Sequence, residues 1–150
     1  CAAQAHVLTG KELAASYVHT GMIGLDGEKM SKSKGNLVFV SRLVSSGTDP
    51  MAIRWALMSD HYRIDRMWSD SLLHEAETQL KLLNTALNSD QCAPTSSVID
   101  EIVKAFSDDL DTQKVISILN QWSAATLSGE KGGSADDLRK HLDALLGLKL

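Results

Sequence analysis

Ser69-Asp70-Ser71-Leu72-Leu73-His74-Glu75-Ala76-Glu77-Thr78-Gln79-Leu80-Lys81-Leu82-Leu83-Asn84-Thr85-Ala86-Leu87 is the stretch that decides the architecture. Ser69 with Asp70 opens a helix. Leu72, Leu73, Ala76, Leu80, Leu83 and Leu87 then recur at helical spacing and form one apolar stripe. Such a stripe needs other helices to cover it, and the flanking sequence supplies them. Downstream, Val98, Ile102, Val103 and Phe106 mark a second stripe, Val115, Ile118, Leu119 and Trp122 a third, and Leu138, Leu142, Leu145 and Leu146 a last one. Ser97 with Asp100, and Ser134 with Asp137, have capping-box spacing at two of the starts. Between the stripes, Asn88–Ser96 with Pro94 reads as a loop, Asp108-Asp109-Leu110-Asp111-Thr112 as a junction, and Gly129–Gly133 as a flexible link. Upstream, Thr48-Asp49-Pro50 is a start signal for a helix over Met51–Ser59: a capping side chain, then Pro where its missing N–H costs nothing.

The first third of the chain has another character. Residues 1–16 are Ala-rich and broken at Gly10, which suggests a helix tail and a stop. Tyr17-Val18-His19-Thr20-Gly21-Met22-Ile23-Gly24 reads as a short strand or hairpin arm, and Asp26-Gly27 as a tight turn. Residues 28–36 are a polar loop, and Leu37-Val38-Phe39-Val40 is a candidate second strand. The fold class expected is therefore mainly α: a helical bundle over 48–150, preceded by a small mixed segment over 1–47.

Bulk properties narrow the function. Hydrophobic residues make up 43% of the 150, enough for a packed core. The balance of 15 basic against 19 acidic side chains argues against a wide grip on a nucleic-acid backbone. No apolar run approaches the roughly 20 residues that span a bilayer. Cys1-Ala2-Ala3-Gln4-Ala5-His6 lacks the basic-then-apolar pattern of a signal peptide. Two cysteines, Cys1 and Cys92, give no disulfide framework and no paired metal spacing, so a reducing cytoplasmic location is expected. The absence of an initiator Met suggests a fragment or a processed chain.

Against this acidic background one segment stands out. Lys29-Met30-Ser31-Lys32-Ser33-Lys34-Gly35-Asn36 places three lysines within six residues, and no acid occurs between Lys29 and Arg42. Lysines held near phosphate oxygens stabilise the negative charge that develops when a phosphate leaves. Serine hydroxyls donate hydrogen bonds to the same oxygens. Gly27 and Gly35 allow such a loop to close and reopen. It is not a Walker loop, because the G-x-x-x-x-G-K spacing is absent. Scattered lysines alone are more often a solvated surface loop or a targeting patch; the particular string changes that balance.

K-M-S-K-S followed by x-G-N resembles the second signature of the class I aminoacyl-tRNA synthetases and their relatives. Tyr17 to Asn36, Asp60-His61-Tyr62-Arg63, Trp68-Ser69-Asp70 and Asp108-Asp109-Leu110-Asp111-Thr112 follow the cysteinyl branch in order and spacing. Gly21-Met22-Ile23-Gly24-Leu25-Asp26-Gly27 and Arg66-Met67-Trp68-Ser69-Asp70 are more similar to the cysteine ligases of mycothiol biosynthesis. The resemblance implies the end of a Rossmann-type catalytic domain over 1–47. It implies an ATP-dependent ligase that makes cysteinyl adenylate and passes cysteine to the amine of glucosaminyl-inositol; the alternative is a cysteinyl-tRNA synthetase charging tRNA. By the same resemblance Lys29, Met30, Ser31, Lys32 and Ser33 handle ATP, with Lys32 and Lys29 as the catalytic pair and Lys32 on the pyrophosphate. Ile23 lies where the main chain meets the adenine of the adenylate, and Lys34 falls just outside the signature. The family's H-I-G-H motif and its zinc ligands do not occur in this chain. The expectation is thus half of an ATP site, inactive alone, with zinc bound elsewhere in the parent, no metal ligands here, and the rest of the catalytic domain as partner. In 97–150 six bases face nine acids, which argues against tRNA as a partner.

Other residues are read more plainly. Trp55, Trp68 and Trp122 are expected in the core, His74 and His141 on the surface, and Cys92 as a free thiol. His6 and His19 are weighed as site-facing, with a structural role for His19 favoured. His61-Tyr62-Arg63 is expected at a helix end, either meeting substrate or catalytic domain or complementing the dipole. The Asp108–Asp111 run reads as caps and solvated charge rather than a cation site.

Overall fold

Residues 1–150 are described by a computed structural model. Along the chain the elements are α1 (Ala2–Thr9), β1 (Ile23–Leu25), β2 (Glu28–Lys29), α2 (Val40–Ser45), α3 (Pro50–Met58), β3 (Arg66–Trp68), α4 (Asp70–Leu87), α5 (Ser96–Ser107), α6 (Thr112–Leu127) and α7 (Ala135–His141), which runs into a π-helical turn at Leu142–Leu146. The fold is mainly α, with a small mixed sheet.

The helix starts follow local chemistry. Asp49 Oδ1 accepts from Met51 N at 2.8 Å, with Pro50 in the first turn of α3. Ser69 Oγ accepts from Leu72 N at 3.1 Å and caps α4. Asp111 Oδ1 accepts from Lys114 N at 2.9 Å and caps α6. Each supplies an acceptor to a backbone N–H that the helix leaves unpaired.

The stripes converge on one core. Leu73, Ala76, Leu80, Leu83 and Leu87 of α4 are buried with Ala52, Ile53 and Trp55 of α3 and Val115, Ile118, Leu119 and Trp122 of α6. Ile102 of α5 and Leu138, Leu142 and Leu146 complete it. Trp68 is buried too, so all three tryptophans lie in the core. Their polar edges are satisfied where buried: Trp55 Nε1 donates to Gln79 Oε1 at 2.8 Å and Trp122 Nε1 to the Ala93 carbonyl at 3.1 Å. Leu145 and Val103 are exposed instead.

The sheet has the order β2-β1-β3. β1 and β2 form a hairpin with Gly24 opposite Lys29 and Leu25 opposite Glu28. Its two-residue turn is Asp26-Gly27, with φ of 54° and 80°, the left-handed pair that suits the twist of a tight hairpin. On its other edge β1 runs parallel to β3, with Ile23, Gly24 and Leu25 opposite Arg66, Met67 and Trp68. Ile23, Leu25, Met30, Val38 and Leu43 pack against the helical core, so sheet and bundle share one apolar interior.

Several expectations need correction. Leu37-Val38-Phe39 forms no strand, and Val40 opens the short helix α2; the strands that flank β1 are Glu28–Lys29 and Arg66–Trp68. Within 17–24 only the last two residues enter β1. Helix α5 begins before Ser97: Thr95 is its N-cap residue, and its hydroxyl donates to the Ser134 carbonyl at 3.0 Å instead of capping. Ser134 does sit at the N-cap of α7 but makes no capping bond. Gly133 is no free link, because its N–H donates to the Cys92 carbonyl at 2.8 Å. His61-Tyr62-Arg63 lies beyond the end of α3, in a turn.

Candidate functional site

The lysine loop leaves β2 and is folded back on itself by one side chain. Asn36 Oδ1 accepts from Ser31 N at 2.9 Å, and Asn36 Nδ2 donates to the Lys29 carbonyl at 3.3 Å. A carboxamide does this because it holds an acceptor and a donor on one rigid plane. Inside this clamp Gly35 N donates to the Lys32 carbonyl at 3.2 Å, and Lys34 N approaches Ser31 Oγ at 3.4 Å. Ser31 and Ser33 hydroxyls lie 3.3 Å apart. Met30 is partly buried against the core and roots the loop. Lys29, Lys32 and Ser33 are exposed around it.

The charges divide unequally. Lys34 Nζ is 2.7 Å from Glu28 Oε2, while Lys29 and Lys32 have no acidic partner. The loop therefore presents two free ammonium groups and two hydroxyls on one short arc. Hairpin pairing sets Lys29 opposite Gly24, the residue after Ile23, and Met30 to Ser33 follow Lys29 directly in the loop.

The turn after α3 supports this sheet from below. Gly21 N donates to the Tyr62 carbonyl at 2.7 Å, Met22 N to Asp65 Oδ1 at 2.6 Å, and Arg66 N to the Met22 carbonyl at 2.9 Å. A Cβ on Gly21 would collide with the Ile64 carbonyl, so the backbones approach here as only glycine allows.

His61, Tyr62 and Arg63 in turn meet Asp109 at the α5–α6 corner. Arg63 Nε lies 2.7 Å from Asp109 Oδ2 and Nη2 donates to Oδ1 at 3.1 Å, a two-pronged pair. Tyr62 Oη donates to Asp109 Oδ1 at 2.7 Å, and His61 Nε2 donates to the Asp109 carbonyl at 3.0 Å. The Arg63 hydrogen bond, then that of Tyr62, hold the Asp109 carboxyl below the usual carboxylate range, and the same contacts raise the Arg63 guanidinium.

Sequence reasoning missed Asn36 as the clamp, Glu28 as the partner of Lys34, and Asp109 as more than solvated charge. The G-N pair ending the loop was the available signal for the first. His6 and His19 are exposed, and their side chains make no hydrogen bond. Cys92 is buried, and burial pushes its thiol up. No group of three or more His, Cys, Asp or Glu side chains comes together to hold a metal ion. No helix is long and apolar enough to cross a membrane.

Residues 1–78 match the family described as tRNA synthetases class I (C) catalytic domain. The chain is 46% identical over 154 residues to the L-cysteine:1D-myo-inositol 2-amino-2-deoxy-alpha-D-glucopyranoside ligase of Rhodococcus erythropolis, and that alignment covers 99% of this chain. It is 50% identical over 151 residues to the ligase of the same name from Nakamurella multipartita, and 43% identical over 154 residues to that of Streptomyces coelicolor. The chain spans 36–37% of the length of these relatives.

Proposed function

The chain belongs to the class I (C) tRNA synthetase catalytic-domain family, and from that premise we propose that it forms the phosphate-handling half of an ATP-dependent cysteine ligase. The reaction is formation of cysteinyl adenylate, then transfer of cysteine to the amine of glucosaminyl-inositol, the cysteine-ligating step of mycothiol biosynthesis. A cytoplasmic location follows from that role. The observation that carries the reading is the pair of unpartnered ammonium groups, Lys29 and Lys32, on a loop clamped by Asn36 beside Ile23.

The chemistry asks little of the protein beyond placement and charge. The cysteine carboxylate attacks the α-phosphorus of ATP, and pyrophosphate leaves with the electron pair of the broken P–O bond. Lys32, with Lys29 behind it, stabilises the charge that grows on the departing oxygens. Ser31 and Ser33 donate to phosphate oxygens, Met30 anchors the loop, and the Ile23 main chain receives the adenine. The sugar amine then attacks the mixed anhydride, forming the amide, and AMP departs. Zinc, which the family resemblance implies for holding the cysteine thiol, would be bound by residues outside 1–150.

Charging of tRNA is the second reading, favoured by the family match. The acidic balance of 97–150 favours the small acceptor. The test replaces the matching stretch of the Rhodococcus erythropolis ligase with residues 1–150 and measures cysteine-dependent ATP–pyrophosphate exchange. Exchange is expected in the chimera and absent from the 150-residue chain alone. Glucosaminyl-inositol is expected to consume the adenylate; consumption by tRNA instead would select the second reading, and no exchange with a folded chimera would sink both.

A further inference from the structure

We propose that Asp109 is a positioning residue for the nucleotide site: through Tyr62 and Arg63 it fixes the 60–65 turn that holds β1, and with it Ile23 and the lysine loop, in register. The functional part of this inference rests on the ATP reading above; the structural part does not.

The connection is a short series of contacts. The Asp109 carboxylate takes both prongs of Arg63 and the Tyr62 hydroxyl, and its carbonyl takes His61 Nε2. Arg63 Nε also lies 2.9 Å from Tyr62 Oη, so the three side chains and the carboxylate form one closed network. On its other side the same turn receives the Gly21 amide on the Tyr62 carbonyl and the Met22 amide on Asp65. Met22 returns its carbonyl to Arg66 N, and the next pair in register is Ile23 with Arg66. Few residues separate Asp109 from the proposed adenine contact along this route. Gly21 has no room to adjust, because its backbone lies against Ile64.

The corner itself is held in an unusual shape. Asp109 and Leu110 have φ of 54° and 59°, two successive non-glycine residues in the left-handed region. A leucine there is disfavoured by contact between Cβ and its own backbone. Leu110 is half exposed, so burial of its side chain does not account for the conformation. What the conformation accomplishes is to aim the Asp109 carboxylate and carbonyl together at the turn after α3. Such strain persists where the surroundings enforce it. Here Leu110 N donates to the Phe106 carbonyl and Asp111 N to the Ala105 carbonyl, each at 3.2 Å, and the contacts with His61, Tyr62 and Arg63 hold the corner from the other side. Thr112 Oγ1, at the start of α6, also reaches the Asp60 carbonyl at 3.5 Å, which extends the seam by one residue on each side.

The bundle thus acts as a rigid bracket for the sheet. α6 is anchored by Val115, Leu119 and Trp122 in the core, so its N-terminal corner offers a fixed point. Loss of the Asp109 carboxylate frees the turn without removing any buried apolar group.

The first measurement is amide hydrogen exchange on the 150-residue chain with Asp109→Ala and, as a variant that keeps the side-chain shape, Asp109→Asn. Exchange at Gly21, Met22 and Arg66 is expected to rise about tenfold in Asp109→Ala, while core amides of α4 and α6 stay unchanged. Arg63→Ala is expected to give the same local pattern, and the double variant no more than either single one. Unchanged exchange at Gly21 and Met22, or an equal rise throughout the chain, would overturn the inference. The second measurement uses the chimeric ligase: Asp109→Ala is expected to raise KM for ATP several-fold with kcat little altered, and Asp109→Glu to restore part of it. An unaltered KM for ATP alongside a loss of exchange in Lys32→Ala overturns the positioning role while the ATP reading stands. Undiminished exchange in Lys32→Ala removes the reading itself, and the hydrogen-exchange result then decides the structural part alone.

Discussion

Lys34 Nζ lies 2.7 Å from Glu28 Oε2, across the start of the lysine loop, which leaves Lys29 and Lys32 as the cations with no acidic neighbour. Both partners of the pair are more than half exposed, so it is a weak tether rather than a lock. The division of roles predicts unequal mutational effects. In the chimeric ligase Lys34→Ala is expected to change ATP–pyrophosphate exchange only a few-fold, and Glu28→Gln to leave it intact or raise it slightly. A collapse of exchange in Lys34→Ala matching that of Lys32→Ala would show that the pair is not a bystander.

Asp109 gives the chain an acid-sensitive contact. Its carboxyl is held below the usual range when folded, so the unfolded state binds the proton more readily. The stabilisation is then complete above the ordinary carboxylate pKa of about 3.9 and is lost as pH falls through the lower folded value. Denaturant melts of the wild-type chain and Asp109→Asn should differ by a constant amount from neutral pH down to about pH 4 and converge below it. A gap that persisted unchanged at the acid end would contradict the assignment.

The two thiols should separate cleanly. Cys1 is exposed and Cys92 is buried, with its thiol pushed up by burial. A thiol reagent at neutral pH is expected to modify Cys1 at once and Cys92 only as fast as the chain opens, since the thiolate is the reactive form. Rapid modification of both in native buffer would place Cys92 outside the core.

Gly21 tests the close approach beneath the sheet. Gly21→Ala adds a Cβ that meets the Ile64 carbonyl. Overpacking of this kind costs about 1–3 kcal/mol, visible as a lower urea midpoint. A midpoint unchanged within error would mean that the β1–β3 pairing yields easily.

The readable parts of this chain are those whose signal is local. The α4 stripe, the Asp49 and Ser69 caps, the Asp26-Gly27 turn and the lysine string all announce themselves within a few residues. β3 does not: Arg66-Met67-Trp68 is three residues long, and its partner Ile23–Leu25 lies some forty positions away. Leu37–Val40 has strand composition but pairs with none of the three strands, and Val40 goes into α2 instead. α5 starts ahead of the expected Ser97, and the Thr95 hydroxyl at its N-cap donates to the distant Ser134 carbonyl, a contact no local pattern announces. In the site, the residue types that carry charge were legible from the string, while their division into free and paired lysines was not. Asp109 was hidden for the same reason, since a run of acids in sequence gives no sign of which one faces Arg63.

Whether the free cations of this loop stabilise departing pyrophosphate is decided by cysteine-dependent ATP–pyrophosphate exchange in the chimeric ligase carrying Lys32→Ala. Loss of one charge-stabilising donor at a leaving group predicts a fall of about 10²- to 10³-fold with the protein still folded. Exchange at the wild-type rate in that variant would mean that Lys32 does not stabilise the leaving pyrophosphate.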